Sequence, residues 1–135
     1  MNKMQVRMIL ERASKTSVKT EIGTLMRAGR EEEAEELEKF QRAVKNEIHR
    51  LRRYDGTTHP GECMSQYAII FARYIEGKSW VQVEREVHYS ERQARTIHNH
   101  GLDRLGRAFE CNPEIRKFYR IYIKSDSKKT AGDGS

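Results

Sequence analysis

Residues 79–105 read SWVQVEREVHYSERQARTIHNHGLDRL. Two serines in this stretch, Ser79 and Ser90, are each followed three residues later by a glutamine. Ser-x-x-Gln is a capping box, in which the two side chains bond to backbone groups that the first turn of a helix leaves unpaired. The repeated box predicts one short helix after Ser79, a tight turn, and a second helix after Ser90.

The apolar residues of this stretch fit a helix-turn-helix unit that begins at Trp80. Two helices that cross steeply must fill a shared core, and the unit does so from five positions. Those positions hold Val83, Val87, Tyr89, Ala94 and Ile97. Glu84 stands where a small residue is usual, so its stem must lie along the helix with its carboxylate in solvent. His88 stands where glycine is usual, and histidine is among the residues that tolerate a positive φ.

Composition favours an all-α fold. The chain of 135 residues is 36% hydrophobic and 34% charged, so its core must be small, and it has only two prolines and nine glycines to interrupt helices. We expect amphipathic N-terminal helices, the helix-turn-helix and a C-terminal helix. The predicted divisions are an N-terminal helical segment at 1–54, a linker at 55–62, a helix-turn-helix domain at 63–110, a C-terminal helix at 111–124 and a disordered polar tail at 125–135.

Local signals also predict helix ends and buried faces. Gly77 is placed as the left-handed residue after the helix that precedes Ser79. Asn112 and Pro113 are placed as the N-cap and first-turn proline of the last helix. Apolar spacing puts Met4 on the buried face of the first helix and Met64 on that of the helix ending at Gly77.

A stripe of apolar residues runs through residues 30–54. Its members are separated by three or four positions: Leu37, Phe40, Val44, Ile48 and Leu51. Two interpretations are open, because such a stripe can pack against the remainder of the chain or form the seam of a homodimer. The segment that carries the stripe spans about three heptads, which is short for a free-standing coiled coil and favours packing within the chain.

Charge is distributed unevenly along the chain. The net charge is +6, yet residues 31–38, EEEAEELE, carry six acids and no base. Residues 85–129 carry eleven Lys or Arg against six Asp or Glu. A basic half favours a polyanionic partner, of which nucleic acid is the commonest. The alternative is an ordinary solvated surface with a basic bias.

Cysteine and hydropathy patterns indicate the environment. Cys63 and Cys111 are the two cysteines, too few for a disulfide framework, and they predict reduced thiols in a cytosol. No apolar run approaches the ~18 residues of a membrane span, and the start lacks a signal-peptide pattern. We expect a cytoplasmic protein without membrane contact.

No spacing in the sequence supports catalysis. No combination of Ser, His and Asp or of Cys and His has the arrangement of a catalytic site. Residues 98–100 spell HNH, but side chains two positions apart on a helix diverge and cannot share one metal ion. We therefore expect no enzyme, no cofactor and no bound metal.

Residues 64–109 resemble the fourth region of bacterial sigma-70-type factors and, more closely, the small phage-borne transcriptional regulators of the ArpU and RinA kind from Gram-positive hosts. The shared features are Tyr74-Ile75-x-Gly77-x-Ser79-Trp80, Val83, Tyr89-Ser90, Leu102 and Leu105. Glu84 and Ala94 stand where such sequences more often have alanine and a β-branched residue. The resemblance implies a sigma-region-4-like helix-turn-helix that binds promoter-proximal DNA in a bacterial host and switches on phage late or packaging genes.

The same unit predicts DNA contacts without the resemblance. The second helix of a helix-turn-helix enters the major groove with its N-terminal residues toward the base edges. The residues free to read bases are Ser90, Glu91, Arg92, Gln93, Arg95, Thr96 and Asn99. Arginine suits guanine, glutamine or asparagine suits adenine, and glutamate suits cytosine. Glu91 can instead serve only the helix dipole.

Phosphate contacts are expected from cations outside that set, since they fix position without reading sequence. The candidates near the unit are Lys78, Arg85 and Arg104. A C-terminal run adds Arg116, Lys117 and Arg120, whose charge would give salt-dependent affinity for any sequence. The alternative for this run is a solvated basic surface.

The expected partner is therefore double-stranded DNA, bound by a sequence-specific transcriptional regulator. One rival is a phage small terminase subunit or packaging adaptor, which joins a helix-turn-helix to an oligomerising segment and assembles into rings. The other rival is a protein-interaction module that docks RNA polymerase or a host protein.

Overall fold

The computed structural model describes residues 1–14, 18–56 and 60–124, and every regular element within those ranges is helical. The helices are α1 (Lys3–Ala13), α2 (Val18–Arg27), α3 (Glu31–Arg50), α4 (Cys63–Ile70), α5 (Trp80–Val87), α6 (Glu91–Glu110) and α7 (Pro113–Phe118). A π-helical turn continues α4 through Phe71–Ile75, and another continues α7 through Tyr119–Ile123. The predicted all-helical class is confirmed. The predicted tail, 125–135, and residues 57–59 of the predicted linker lie outside the described residues.

Both predicted capping boxes are present. The Ser79 hydroxyl accepts from the backbone N–H of Gln82 (3.3 Å), whose side-chain oxygen accepts from the Ser79 N–H (2.9 Å). Ser90 and Gln93 make the same pair of bonds at the start of α6, at 3.2 and 3.1 Å. These local bonds satisfy backbone donors at the two helix starts, so the sequence itself determines where α5 and α6 begin.

The remaining end signals also hold. Gly77 has a φ of 69°, which suits the left-handed residue that follows the π-helical turn after α4. The Asn112 side chain accepts from the backbone N–H of Ile115 (3.3 Å), and Pro113 occupies the first turn of α7. The start of α7 is therefore confirmed as predicted.

The main core joins the N-terminal helices to α6 and α7. The apolar stripe of α3 is fully buried within the single chain, where the Phe40 ring stacks on Phe118 at a centroid distance of 4.0 Å. The packing interpretation of the stripe is confirmed, which leaves it no surface for a dimer seam. Helices on both sides of 55–62 supply this one core, so that segment connects helices without separating two cores.

A smaller apolar cluster lies where α5 crosses α6. Val83, Ala94 and Ile97 are buried there against Ile69 and Ala72, while the side chains of Trp80, Val87 and Tyr89 are partly buried around them. All five predicted core positions therefore face this cluster. The Tyr89 hydroxyl lies 3.2 Å from the Ser65 hydroxyl, which ties the corner to α4.

Two predicted buried methionines are wrong. Met4 is 70% exposed and Met64 is 60% exposed. Helix α1 instead turns Val6, Ile9 and Leu10 toward the core, because α6 and α3 approach it from that side. Helix α4 instead buries Cys63, Gln66, Ile69 and Ile70, because α6, α5 and α3 pack against that side. Spacing shows that an apolar face exists, but packing decides which side of the helix it is.

Arg104 is a correction to the predicted phosphate contacts, because its side chain is only 7% exposed. Its Nε donates to Asp55 (3.1 Å), its Nη1 to the Leu51 carbonyl and to Gln66 (both 2.8 Å), and its Nη2 to the Arg53 carbonyl (2.7 Å). Leu51, Arg53 and Asp55 lie in the segment after α3, and Gln66 lies on α4. The guanidinium therefore joins α6 to both segments and has no access to a DNA phosphate.

Two glycines let neighbours approach α6 closely. A Cβ on Gly101 would lie 2.5 Å from the Cδ1 atom of Ile70, and a Cβ on Gly106 would lie 2.6 Å from the Met1 carbonyl oxygen. Either distance is shorter than van der Waals contact. A side chain at either position would therefore force its neighbour, Ile70 of α4 or the Met1 backbone, to shift.

We predict that Gly101→Ala lowers the free energy of unfolding. In a helix interior, alanine is more stabilising than glycine by about 1 kcal/mol. Overpacking against buried Ile70, however, costs roughly 1–3 kcal/mol of stability. Ile70→Val removes the clashing methyl, so the double variant should be more stable than Gly101→Ala alone. Urea unfolding of the full double-mutant cycle measures this coupling.

Gly23→Ala is the matched control, because a Cβ there would meet nothing closer than Arg27 Nη1 at 3.5 Å. That variant should be neutral or more stable than the parent. Close packing at Gly101 would be disproved if Gly101→Ala were as stable as Gly23→Ala.

Candidate nucleic-acid interface

The corner between α5 and α6 turns at His88, which has a φ of 59° and a ψ of 30° and lies in solvent. Its backbone N–H donates to the Glu84 carbonyl at 3.1 Å, which closes the last turn of α5. Two residues later Ser90 caps α6. Glu84 of α5 is half-buried at this corner, beside His88, Tyr89 and Ser90.

The predicted base-reading residues lie together on the outer side of the first turns of α6. Ala94 and Ile97 face the protein, while the side chains of six predicted residues are exposed and a seventh is half-buried. The exposed residues are Ser90, Glu91, Arg92, Gln93, Arg95 and Thr96, and the half-buried one is Asn99. The arrangement therefore separates a protein-facing side from a solvent-facing side within ten residues.

Several of these polar groups already have partners inside the chain. Ser90 and Gln93 are engaged in the capping box described above. The Thr96 hydroxyl donates to the Arg92 carbonyl (3.0 Å), and the Asn99 side-chain oxygen lies 3.2 Å from Nδ1 of His98. These bonds hold the side chains in place, and base contacts by them would have to use their remaining donors or acceptors.

Arg95 is held by two neighbours. Its Nε and Nη2 donate to Oε1 of Glu91 at 3.1 and 2.8 Å, and its guanidinium lies over the Trp80 ring, 4.9 Å from the centroid. A base contact by Arg95 would therefore compete with Glu91. The cation–π contact can persist in a complex, because it fixes the guanidinium from the side of α5.

Arg92 differs from Arg95. Its side chain is exposed, and no acceptor in the described part of the chain lies within hydrogen-bonding distance of its guanidinium. It stands in the first turn of α6, and in DNA-binding helix-turn-helix proteins the corresponding turn is the one closest to base edges. Arg92 is thus the most available cation of this surface.

The predicted phosphate-contact residues near the corner are not equivalent. Lys78 lies between two carboxylates: its Nζ is 3.2 Å from Glu76, and it also bonds to Glu86. The hydrogen bond that Lys78 donates to Glu86 raises the pKa of Lys78. Arg85 is exposed near the end of α5 and has no acceptor among the described residues. Arg85 is therefore the better placed of the two to reach a phosphate.

The C-terminal cations form a separate surface. Arg116, Lys117 and Arg120 are exposed on α7 and its π-helical extension, beside a groove of about 440 Å³ that Glu110 also lines. Since a helix rises about 1.5 Å per residue, Glu110 lies roughly 27 Å from Arg92 along α6. The structure therefore does not bring these residues together with the first turns of α6.

A cluster that the sequence did not predict lies beside Arg95. His98 is buried, its Nε2 lies 2.9 Å from the Tyr74 hydroxyl, and its ring makes an edge contact with Trp80. The pKa of His98 is lowered to about 4, mainly by burial and to a smaller extent by the nearby positive charges of Arg7, Arg73 and Arg95. The Asn99 side-chain oxygen can only accept, so Nδ1 carries the proton of the neutral ring. Nε2 is then the acceptor, and the Tyr74 hydroxyl donates to it.

The signals for this cluster were weak in the sequence. Arg7 looks like an ordinary surface arginine because it stands in a helix far from residues 79–105, and Arg73, which shortly precedes Ser79, belongs to neither the capping boxes nor the five inward positions. His98 follows Ala94 by four positions, so the two side chains share one face of α6. This spacing is the single local sign that His98 is buried. Long-range packing brings these residues together, which spacing alone cannot reveal.

Comparison with protein-family models, with curated proteins and with solved structures found no match. Among the described helices, none combines the length and apolarity that a membrane crossing would require.

We predict that the neutral state of His98 makes the protein less stable in acid. The unfolded chain binds a proton on this histidine near its ordinary pKa of 6.5, whereas the folded chain resists until about 4. The unfolded state therefore holds more protons between these values, and the free energy of unfolding falls as pH decreases through that window. The loss is on the order of 3 kcal/mol.

His98→Gln keeps an acceptor for Tyr74 but cannot titrate. Urea unfolding at several pH values should show a shallower decline in this variant than in the parent between pH 6.5 and 4. His49→Gln, which removes an exposed imidazole, should keep the parental decline. Equal declines in all three proteins would contradict a buried neutral His98.

Proposed function

We propose that this protein is a sequence-specific regulator of transcription that places the first turns of α6 in the major groove of double-stranded DNA. The observation that carries the proposal is the division of α6 at the α5–α6 corner. Ala94 and Ile97 hold the helix on α5, while Arg92 points into solvent without a partner among the described residues. A rigid helix with a free guanidinium in its first turn suits groove entry and guanine recognition.

The contacts around the corner suggest distinct roles. Arg92 reads a base, Arg85 contacts a phosphate, and the capping box orients the N-terminal end of α6 toward the DNA. Glu91 restrains Arg95 and lowers the positive charge of the surface. Such a restraint would limit unselective attraction to phosphates, since salt-dependent affinity grows with the number of free cations.

The resemblance to sigma-70 region 4 and to the ArpU and RinA kind of regulators adds the biological setting. It supports a phage-encoded protein that acts in the bacterial cytoplasm on late or packaging genes. RNA polymerase is the protein partner that such a role would require.

The two rivals differ in measurable ways. A packaging adaptor would form a ring of many subunits, whereas the α3 stripe, one candidate for a contact between subunits, is buried within one chain. A polymerase-docking module would bind DNA without sequence preference. Solution mass tests the first rival, and selection from a pool of random duplexes tests the second. A ring, or a pool without enrichment, would contradict the proposed regulator.

We predict that Arg92→Ala loses roughly 1–3 kcal/mol of binding free energy, confined to one base pair of the selected site. The reason is that one bidentate contact to a base would be lost while the phosphate contacts remain. Titration against the selected duplex and its single-base variants at two salt concentrations measures the effect.

Arg42→Ala is the matched control, because it removes an exposed arginine of α3 whose partner is Glu38 of the same helix (3.1 Å). It should leave both affinity and preference unchanged. A loss in Arg92→Ala that is uniform over all sequences would assign Arg92 to the phosphate backbone and remove it from base reading.

A further inference from the structure

A half-enclosed cavity of about 290 Å³ lies behind the first turns of α6. Its walls come from α1 and from three elements that follow one another later in the chain: the π-helical turn after α4, α5 and α6. Three of these elements contribute one arginine each: Arg7 from α1, Arg73 from the π-helical turn and Arg95 from α6. Surface arginines usually spread apart, so the convergence of three on one cavity requires an explanation.

The cavity has a surplus of positive charge. Three arginines line it against one carboxylate, Glu11, while His98 is neutral near physiological pH because its pKa lies at about 4. Arg95 shares part of its charge with Glu91 outside the cavity. The lining therefore lacks enough negative charge to neutralise its guanidinium groups.

Arg73 is only partly satisfied. Its Nη1 donates to the Lys78 carbonyl at 2.7 Å, and its guanidinium lies over the Trp80 ring at 4.9 Å. Its Nε is buried and has no acceptor among the residues that the structure describes. Buried donors without partners are rare in folded proteins, and each one calls for a reason.

The backbone that carries Arg73 is also unusual. Phe71–Ile75 forms a π-helical turn, in which the N–H of Glu76 donates to the Phe71 carbonyl (3.0 Å). π-Helical turns are uncommon in proteins, and those that occur are often found at functional sites. Here the turn supplies both Arg73 and Tyr74 to the cavity.

We propose that this cavity binds an oxyanion of the phosphate class. Guanidinium groups recognise tetrahedral oxyanions through paired N–H donors, and arginine is the preferred residue for such sites. The aromatic wall of Trp80, Tyr74 and His98 holds the cavity in shape and lowers the local dielectric constant, which strengthens the attraction. The anion is either a phosphate of the DNA backbone or a free phosphate, and the first source alone rests on the proposed function.

The first experiment titrates inorganic phosphate into the full chain at neutral pH while the imidazole signals of His98 are followed by NMR. We expect saturable shifts. With sulfate, which keeps its charge in acid, a bound anion should raise the pKa of His98 from about 4, because a negative charge in the cavity favours the protonated ring.

Arg7→Ala tests the site without disturbing the core, since Arg7 is exposed on α1. It should weaken phosphate binding about tenfold or more, the effect of losing a charged hydrogen bond. Lys19→Ala removes an exposed positive charge from α2 and should have no effect. Arg73→Lys, which keeps the charge but loses Nε, should weaken binding as well.

The second experiment distinguishes the two sources of the anion. If the cavity takes a DNA phosphate, Arg7→Ala should reduce the slope of log affinity against log salt by roughly 0.9, and Lys19→Ala should not. An unchanged slope with weakened phosphate binding assigns the cavity to a free phosphate. A protein that binds phosphate at the cavity but no DNA would refute the regulator and keep the anion site. The anion site itself is refuted if Arg7→Ala changes neither the phosphate titration nor the salt slope.

Discussion

A single buried guanidinium links the halves of this molecule. Arg104 of α6 donates to the carbonyls of Leu51 and Arg53 after α3, to Gln66 of α4 and to Asp55. A buried charge is costly unless its donors are paired, and here several acceptors converge on it. Because these acceptors lie after α3 and on α4, the network and the main core together fix how α3 and α4 lie against α6.

Helix α6 serves two cores in succession. Its first turns pack through Ala94 and Ile97 against α5, and its later turns pack through Leu102, Leu105 and Phe109 in the main core. A candidate recognition surface that begins on the same continuous helix inherits the rigidity of the main core. Rigid elements position contacting side chains more accurately than loops do, which is the physical advantage of this arrangement.

The net charge of +6 does not describe where cations are available. Arg104 is buried, Lys78 is held by two carboxylates, and Arg95 is paired with Glu91. Arg92 and Arg85 remain exposed, while other arginines converge behind α6 on a cavity. Burial and pairing within the chain therefore decide which of these cations remain accessible, and the total charge does not show it.

The sequence by itself determined the local features. The capping boxes at Ser79 and Ser90, the left-handed residue His88 and the five inward positions of the corner follow from hydrogen bonds and periodicities that span only a few residues. Tertiary structure alone decided that Arg104 is internal, that the α3 stripe packs within the chain, and that Arg7 and Arg73 meet His98. Those outcomes depend on contacts between residues dozens of positions apart, and an arginine on a helix looks the same in sequence whether its partner is water or a distant carbonyl.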